Sequence, residues 1–249
     1  MKLFTKIFMM SVLFSSVAMV SGYAEEAKTG ETQAVTTSST TTTVVTKTSG
    51  TVVASASAAA AAVTAPAPVV PKTTLGNLQA AYNGESNAHV RYLVFAAKAE
   101  TEGYGKVASL FRAAAQAEQV HLERHAKVIQ KMGAVPVATI DSIIVKSTAE
   151  NVAEAFKGET YESTVMYPEF LALAKQDKNA DAIDAFEDAN AAEAVHAKLY
   201  KGVLDSLQAW KVGPQDFFVC PVCGNVVDSL GFRKCPICNT SKKKFLTIR

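Results

Sequence analysis

From Thr73 to about Trp210, apolar side chains recur every three or four residues, the period of amphipathic helices. Leu78, Tyr82, Glu85, His89, Tyr92, Ala96 and Ala99 mark the inward seam of one helix. Val107, Phe111, Ala114, Glu118, His121, His125, Val128 and Met132 mark a second, closed by Gly133 and Pro136. Ser147-Thr-Ala-Glu150 is a capping box that starts a third, with Val152, Glu159, Glu162, Met166, Phe170 and Leu173 inward. A fourth runs through Phe186, Asn190, Glu193, Ala197, Tyr200, Leu204 and Leu207. Short connections, with one longer crossover near 133–147, predict an all-α antiparallel four-helix bundle over residues 73–210.

Those seams carry the wrong chemistry for a plain core. Glu85, Glu118, Glu159, Glu162 and Glu193 stand where leucine belongs, and His121 and His196 follow Glu118 and Glu193 by one turn. An unpaired buried carboxylate costs several kcal/mol or is forced neutral, and a whole domain is stable by only about 5–15 kcal/mol. A cation among them is therefore expected. Glu118-Gln-Val-His121 and Glu193-Ala-Val-His196 are both Glu-x-x-His, which sets a carboxylate and an imidazole on one helical face. Upstream, Glu85 and Glu159 precede their partners by 33 and 34 residues, so the body is an internal two-fold repeat of helix pairs. One Glu per helix plus two Glu-x-x-His units is the arrangement of a di-iron or di-manganese carboxylate site. Oxygen donors with two imidazoles favour those metals over copper or a lone structural zinc.

Outside the bundle the pattern changes twice. Lys2 and Lys6, an apolar stretch Ile7–Val20 and the small residues up to Ala24 predict a secretory signal over residues 1–24, hence export to a periplasmic space. Residues 25–72 are rich in Thr, then Ala, then Pro, with little apolar bulk, and are expected to be a disordered linker. At the other end, Cys220-Pro-Val-Cys223-Gly and Cys235-Pro-Ile-Cys238 lie eleven residues apart. Two such knuckles supply four thiolates to one tetrahedral metal. Export raises a disulfide alternative, but residues 216–249 are too few to fold on an apolar core alone, which favours a metal staple. Iron and zinc both accept four sulfurs, and spacing does not choose between them.

Charge removes other classes. The chain has 25 Lys+Arg against 23 Asp+Glu, and with Lys2 and Lys6 set aside the balance is 23 against 23. No broad electrostatic footprint for nucleic acid exists, and the longest apolar run is too short for a stable membrane span.

Taken together, these motifs resemble the rubrerythrins, a ferritin-like bundle followed by a rubredoxin-like domain. The likeness rests on Gly84–Tyr92 (Gly-Glu-Ser-x-Ala-x-x-Arg-Tyr), Gly158–Glu162, Met166–Phe170 and Ala192–Ala197, with the cysteine pairs behind them. It implies two iron ions bridged by Glu118 and Glu193, with Glu85 and Glu159 as terminal carboxylates. His196 would ligate the second iron, while His121 and Glu162 would compete for the first according to oxidation state. Only the second half has this extra carboxylate, since Ala88 occupies the corresponding place in the first. Tyr92 and Tyr167 match tyrosines beside the family's cluster, and His125 has no ligand role. Cys220, Cys223, Cys235 and Cys238 would hold a further iron, or zinc.

The implied activity is reduction of hydrogen peroxide to water in oxidative-stress defence. Electrons would come from NAD(P)H through a redox protein and then the cysteine-bound iron. That iron is expected to lie far from the bundle centre of its own chain, so a head-to-tail homodimer or higher homo-oligomer is predicted. Two rivals are a ferroxidase, which a fused electron donor argues against, and a zinc-ribbon binding module, for which Lys242-Lys243-Lys244 is the sole support.

Overall fold

The computed structural model describes residues 72–249; the expected signal and all but the last residue of the expected linker lie outside them. Five α-helices make the bundle: α1 (Thr74–Thr101), α2 (Gly105–Lys131), α3 (Thr148–Tyr161), α4 (Tyr167–Gln176) and α5 (Ala180–Asp205). No helix among the described residues is long and apolar enough to cross a membrane. Local chemistry sets the helix starts. Thr73 Oγ1 accepts from Gly76 N at 3.0 Å, Asn179 Oδ1 from Ala182 N at 3.0 Å, and Ser147 with Glu150 forms the reciprocal capping box.

The third helix of the sequence reading is in fact two, α3 and α4, joined by a π-helical turn over Glu162–Met166. A π turn holds one more residue than an α turn, so the inward seam slips by one position. Tyr167 and Ala174 are buried where the uninterrupted period pointed to Met166 and Leu173. The insertion also explains the unequal repeat. Glu85 to the end of α1 is 16 residues and Glu159 to the end of α4 is 17, whereas both turns and both following helix segments match in length.

The crossover after α2 lies as extended chain along α1. Side chains one helical turn apart bind alternate crossover residues: Gln79 holds Val135 O and Val137 N, Asn83 accepts from Thr139 N, and Asn87 holds Thr139 O and Asp141 N. The match is geometric, since a helical turn rises about 5.4 Å and two extended residues about 6.6 Å.

Inside, the apolar core is split. One cluster, with Tyr92, Phe95, Phe111, Val152 and Tyr200, fills one end, and another, with Leu78, Ile129, Tyr167, Phe170 and Phe186, fills the other. Buried polar residues lie between them. The C-terminal module is a small antiparallel sheet, β1 (Phe217–Val219), β2 (Val226–Val227) and β3 (Leu246–Ile248), in the order β2-β1-β3. Phe217, Val219 and Val226 pack into the first bundle cluster.

The chain turns back on itself to achieve this. Lys106 N donates to Val212 O at 3.2 Å, and Gln215 N to Ser109 Oγ at 3.3 Å. Gly105 permits the crossing, because a Cβ there would meet Val212 O and Pro214 N at 2.9 Å. The expected separation of the cysteine module from its own bundle is therefore not found: residues 211–216 fold the module against α2 of the same chain.

Candidate metal centre

Each long helix delivers its carboxylate to the polar layer. Glu85, Glu118, Glu159 and Glu193 are all fully buried, as are His121, His125 and His196. They form two donor groups, Glu85/Glu118/His121/Glu193 and Glu118/Glu159/Glu193/His196, in each of which one ligand atom per residue lies within 4.8 Å of the others. Glu118 and Glu193 belong to both, the position of bridging carboxylates. Glu162 is half-buried and belongs to neither group, so the geometry has His121, not Glu162, beside the first position.

The lone pairs converge without satisfying one another. His121 Nδ1 stands 2.7 Å from Glu193 Oε1, and His196 Nδ1 2.6 Å from Glu193 Oε2. Yet both Glu193 oxygens, Glu85 Oε2, Glu118 Oε1, Glu159 Oε2 and His196 Nδ1 make no aligned hydrogen bond. Buried polar atoms are rarely left so, and a set of them facing one space fits divalent metal. Electrostatics agree. Burial, with Glu118 and Glu193 close by, holds the Glu85 carboxyl well above the usual carboxylate range. Burial and the charges of Glu193 and Glu118 do the same at Glu159, and partial burial with Glu85 and Glu159 nearby does so at Glu162. Burial opposes ionisation of Glu193 too, but the flanking His121 and His196 outweigh it and draw its pKa down. Both imidazoles are raised because Glu193 and its neighbours overcome the burial penalty. Metal would displace these shared protons.

The tyrosines reach across the repeat. Tyr92 OH donates to Glu159 Oε1 at 2.6 Å, and Tyr167 OH donates to Glu85 Oε1. His125 Nε2 in turn meets Tyr167 OH at 3.0 Å. Since that hydroxyl proton goes to Glu85, His125 must donate. Burial, with His121 and Arg124 nearby, lowers its pKa to about 3, so it is neutral with the proton on Nε2.

The four cysteines also come together. Cys220 Sγ and Cys238 Sγ are 3.5 Å apart, and Cys223 Sγ and Cys235 Sγ 3.6 Å apart; none is disulfide-bonded. Four sulfurs about 2.3 Å from a central metal stand roughly 3.7 Å from one another. In each knuckle a left-handed residue follows the second cysteine, Gly224 (φ +73°) and Asn239 (φ +61°). The first knuckle sits directly on the polar layer. His121 Nε2 lies 3.1 Å from Cys223 O, and His196 Nε2 3.1 Å from Gly224 O. A carbonyl accepts, so each ring keeps a proton on Nε2, and Nδ1, which faces the carboxylates and shares a proton with them, is the atom left to ligate once metal displaces that proton.

Among known proteins, the family model for rubrerythrin matches residues 76–204. The chain belongs to the rubrerythrin family. It is 36% identical to nigerythrin of Nitratidesulfovibrio vulgaris over 70% of this chain and 85% of that one. It is 34% identical to rubrerythrin-2 of Clostridium acetobutylicum over 68% of this chain and 92% of that one. The solved structure of fully reduced, all-ferrous nigerythrin superposes with a TM-score of 0.66 at 34% identity, covering 74% of this chain and 90% of that one. Bacterioferritin of Mycobacterium tuberculosis, at 18% identity and a TM-score of 0.51, shares the bundle fold alone. As a rubrerythrin, the chain is a di-iron protein of oxidative-stress defence with a rubredoxin-like iron–tetrathiolate centre, and its donor sets fit both cofactors.

Two contributors carry no motif signal. Gly224 allows the close approach of the knuckle to His121, and its presence after Cys223 reads only as part of a knuckle. Arg124 clamps three elements: Nη1 pairs with Asp188 and donates to Val222 O at 2.9 Å, while Nη2 reaches Asp184 Oδ2 at 2.7 Å.

Proposed function

We propose that this rubrerythrin reduces hydrogen peroxide to water, its electrons arriving through the cysteine centre from an electron-carrier protein and ultimately from NAD(P)H. The observation that carries the reading is the docking of the first cysteine knuckle on both cluster histidines. A ferroxidase has no use for a one-electron centre hydrogen-bonded to its ligands. The overall change is H₂O₂ + 2 e⁻ + 2 H⁺ → 2 H₂O. The two donor groups would hold a ferrous pair, which would supply the two electrons that cleavage of the O–O bond needs.

The chain's own residues provide the setting. Glu118 and Glu193 span both metal positions, Glu85 and Glu159 close the ends, and His121 and His196 offer Nδ1 to one position each. Tyr92 and Tyr167 hold the terminal carboxylates by hydrogen bonds, and His125 holds Tyr167. Glu162, with its raised pKa and its place in the π turn, is the carboxylate free to exchange with His121 when the charge of the site changes. The Phe and Tyr clusters on either side keep bulk water away. For recharging, the route from Cys223 to the bundle runs through its own carbonyl and the imidazole of His121, with a parallel route through Gly224 and His196.

A homodimer belongs to the same proposal, supported now by exposed Leu93, Val135, Val137, Ile140 and Ile144 along α1 and the crossover rather than by any need to bring the centres together. Export to a periplasmic space likewise rests on the first 24 residues. The test is stopped-flow mixing of iron-loaded, fully reduced protein with peroxide and, separately, with dioxygen. Fast oxidation of both centres by peroxide and slow oxidation by dioxygen support a peroxidase. The reverse order, or a silent cysteine centre, overturns it.

A further inference from the structure

The face of the cysteine module turned away from the bundle has its own chemistry. Residues 228–249 carry six cationic side chains (Arg233, Lys234, Lys242, Lys243, Lys244, Arg249) and one carboxylate, Asp228, a balance of +5. Subtracting these from 23 against 23 leaves 17 against 22 over residues 25–227, a balance of −5. The charge asymmetry is thus concentrated on one short segment.

The fold fixes it around the second knuckle. Cys235 N donates to Thr240 O at 2.7 Å, Lys234 bridges to Ser241, and Lys242 N donates to Arg233 O at 3.2 Å. Arg233, Lys234, Lys242 and Lys243 are therefore the stem of the hairpin whose tip is Cys235–Cys238, and with Ser241 they line an open concavity of about 690 Å³. All four, and Lys244, are exposed, and none forms an ion pair among the described residues. Over residues 72–227 seven cationic side chains have a carboxylate partner and eight do not, so what sets this face apart is that its five unpaired cations are gathered on one hairpin and the turn after it. The sulfurs are arranged to suit: Cys220, Cys223 and Cys235 are buried, whereas Cys238 is partly exposed on this side.

We infer that this basic face is the docking surface for an acidic one-electron carrier protein, whose electron enters at Cys238 and leaves towards the bundle at Cys223. One electron passes per encounter, the carrier being oxidised and the tetrathiolate centre reduced by one unit, with no bond made. Opposed charge steers such encounters and orients them, which matters most for a short-lived complex. Five unpaired cations around a partly exposed thiolate edge favour a protein that must approach the metal over nucleic acid or a membrane, which have no use for the sulfur. The proposal specifies the partner of the electron-transfer reading and rests on it.

The test compares the full iron-loaded protein with K242E/K243E/K244E and, separately, R233Q/K234Q. The probe is a stand-alone rubredoxin of strongly negative net charge, pre-reduced and mixed by stopped flow. Its rate with the unaltered protein should fall at least about tenfold between about 20 and about 300 mM salt. Both variants should be at least about tenfold slower at low salt, with a flattened or inverted salt dependence. Photoreduced deazaflavin, which needs no docking, should reduce all three alike, and this guards against a misfolded module. Zinc-loaded proteins, redox-silent, should show the same ranking in binding the oxidised probe by calorimetry. Equal rates and affinities across the three proteins overturn the proposal. So does tight binding of a short oligonucleotide or of vesicles containing anionic lipid, lost in the variants while the acidic probe is indifferent to them. Oxidation of pre-reduced protein by peroxide is scored apart: its failure removes the peroxidase reading and leaves the docking result standing.

Discussion

Gly224→Ala is the sharpest perturbation of the contact between the two centres. Gly224 has φ +73°, and a Cβ built on it lies 2.2 Å from His121 Nε2, 2.9 Å from Cδ2 and 3.0 Å from Cε1. The obstacle is a fully buried ring held between Glu118, Glu193 and the knuckle, so it has nowhere to retreat. An ordinary carbon contact needs about 3.5 Å, so the knuckle must withdraw by roughly an ångström. That motion breaks the hydrogen bonds from His121 and His196, each costing about 1–3 kcal/mol when a buried donor is orphaned. A left-handed alanine adds about 1–2 kcal/mol. The strain stays with the knuckle docked or undocked, so the two lost bonds, about 2–6 kcal/mol together, set a drop of at least about thirtyfold in the docking equilibrium. The clash is the same whether the knuckle comes from this chain or from a second copy. Gly133→Ala is the control, because Gly133 has φ +80° but nothing within 4 Å of its added Cβ. In single-turnover oxidation by peroxide, Gly224→Ala should keep the bundle response and slow that of the tetrathiolate centre by at least about tenfold. Gly133→Ala should lose only about 1 kcal/mol of stability and leave both responses alone. A Gly224→Ala protein whose two centres respond together at the unaltered rate would refute the reasoning.

Other variants separate the parts. Glu118→Ala removes a donor common to both groups and should abolish binding of iron at both positions, read by metal analysis, along with peroxide turnover. Cys235→Ser should leave the first oxidation of a chemically reduced bundle by peroxide intact yet end catalytic recycling by a protein donor, since one of the four sulfurs is gone. Glu102 ties α1 to the start of α3, its Oε2 accepting from Thr148 N at 2.8 Å and Oγ1 at 2.7 Å, and these bonds lower its pKa to about 2. With the folded value below the ordinary one, its contribution is complete above pH 4.5 and lost as pH falls towards 2, so Glu102→Gln should lower Tm at neutral pH by the equivalent of about 1 kcal/mol. That deficit should narrow across the acid range; a deficit independent of pH would count against it.

Much of this was legible before any fold was known, because burial makes misplaced chemistry conspicuous. Glutamate at a helical seam position has few physical explanations, and Glu-x-x-His twice over narrows them to a two-metal site. The cysteine pairs are legible for a similar reason: their spacing has meaning only if they close on one point. What escaped is what depends on long-range approach. Nothing local tells that residues 211–216 bend the module back over Gly105, so the sequence alone leaves the two centres distant in one chain. Glu162 stands outside both donor groups at the start of the π turn, and periodicity does not register that turn. The signal for that distortion was present as an integer: Glu85 to Tyr92 is seven residues and Glu159 to Tyr167 is eight.

That single residue ties the asymmetries of the repeat together. Glu85 and Glu159, Glu118 and Glu193, and His121 and His196 correspond one to one, and the two tyrosines cross reciprocally to Glu159 and Glu85. Beside the matched donors, two aligned positions carry different chemistry in the two halves. Ala88 corresponds to Glu162, and His125, which supports Tyr167, corresponds to Tyr200, whose buried hydroxyl has no hydrogen-bond partner among the described residues. His125 supports the Tyr167 that holds Glu85, in the first donor group, and Glu162 opens the π turn that ends just before Tyr167. A regular α-helix with the same residues would turn Met166 inward and remove Tyr167 from Glu85. The inserted residue therefore restores the tyrosine to its carboxylate, with Glu162 at the start of the widened turn. A site that must hold different net charges before and after oxidation needs one adjustable ligand against a fixed frame. The symmetric donors form that frame, and on the proposed exchange between Glu162 and His121 the one asymmetric turn would supply the adjustment.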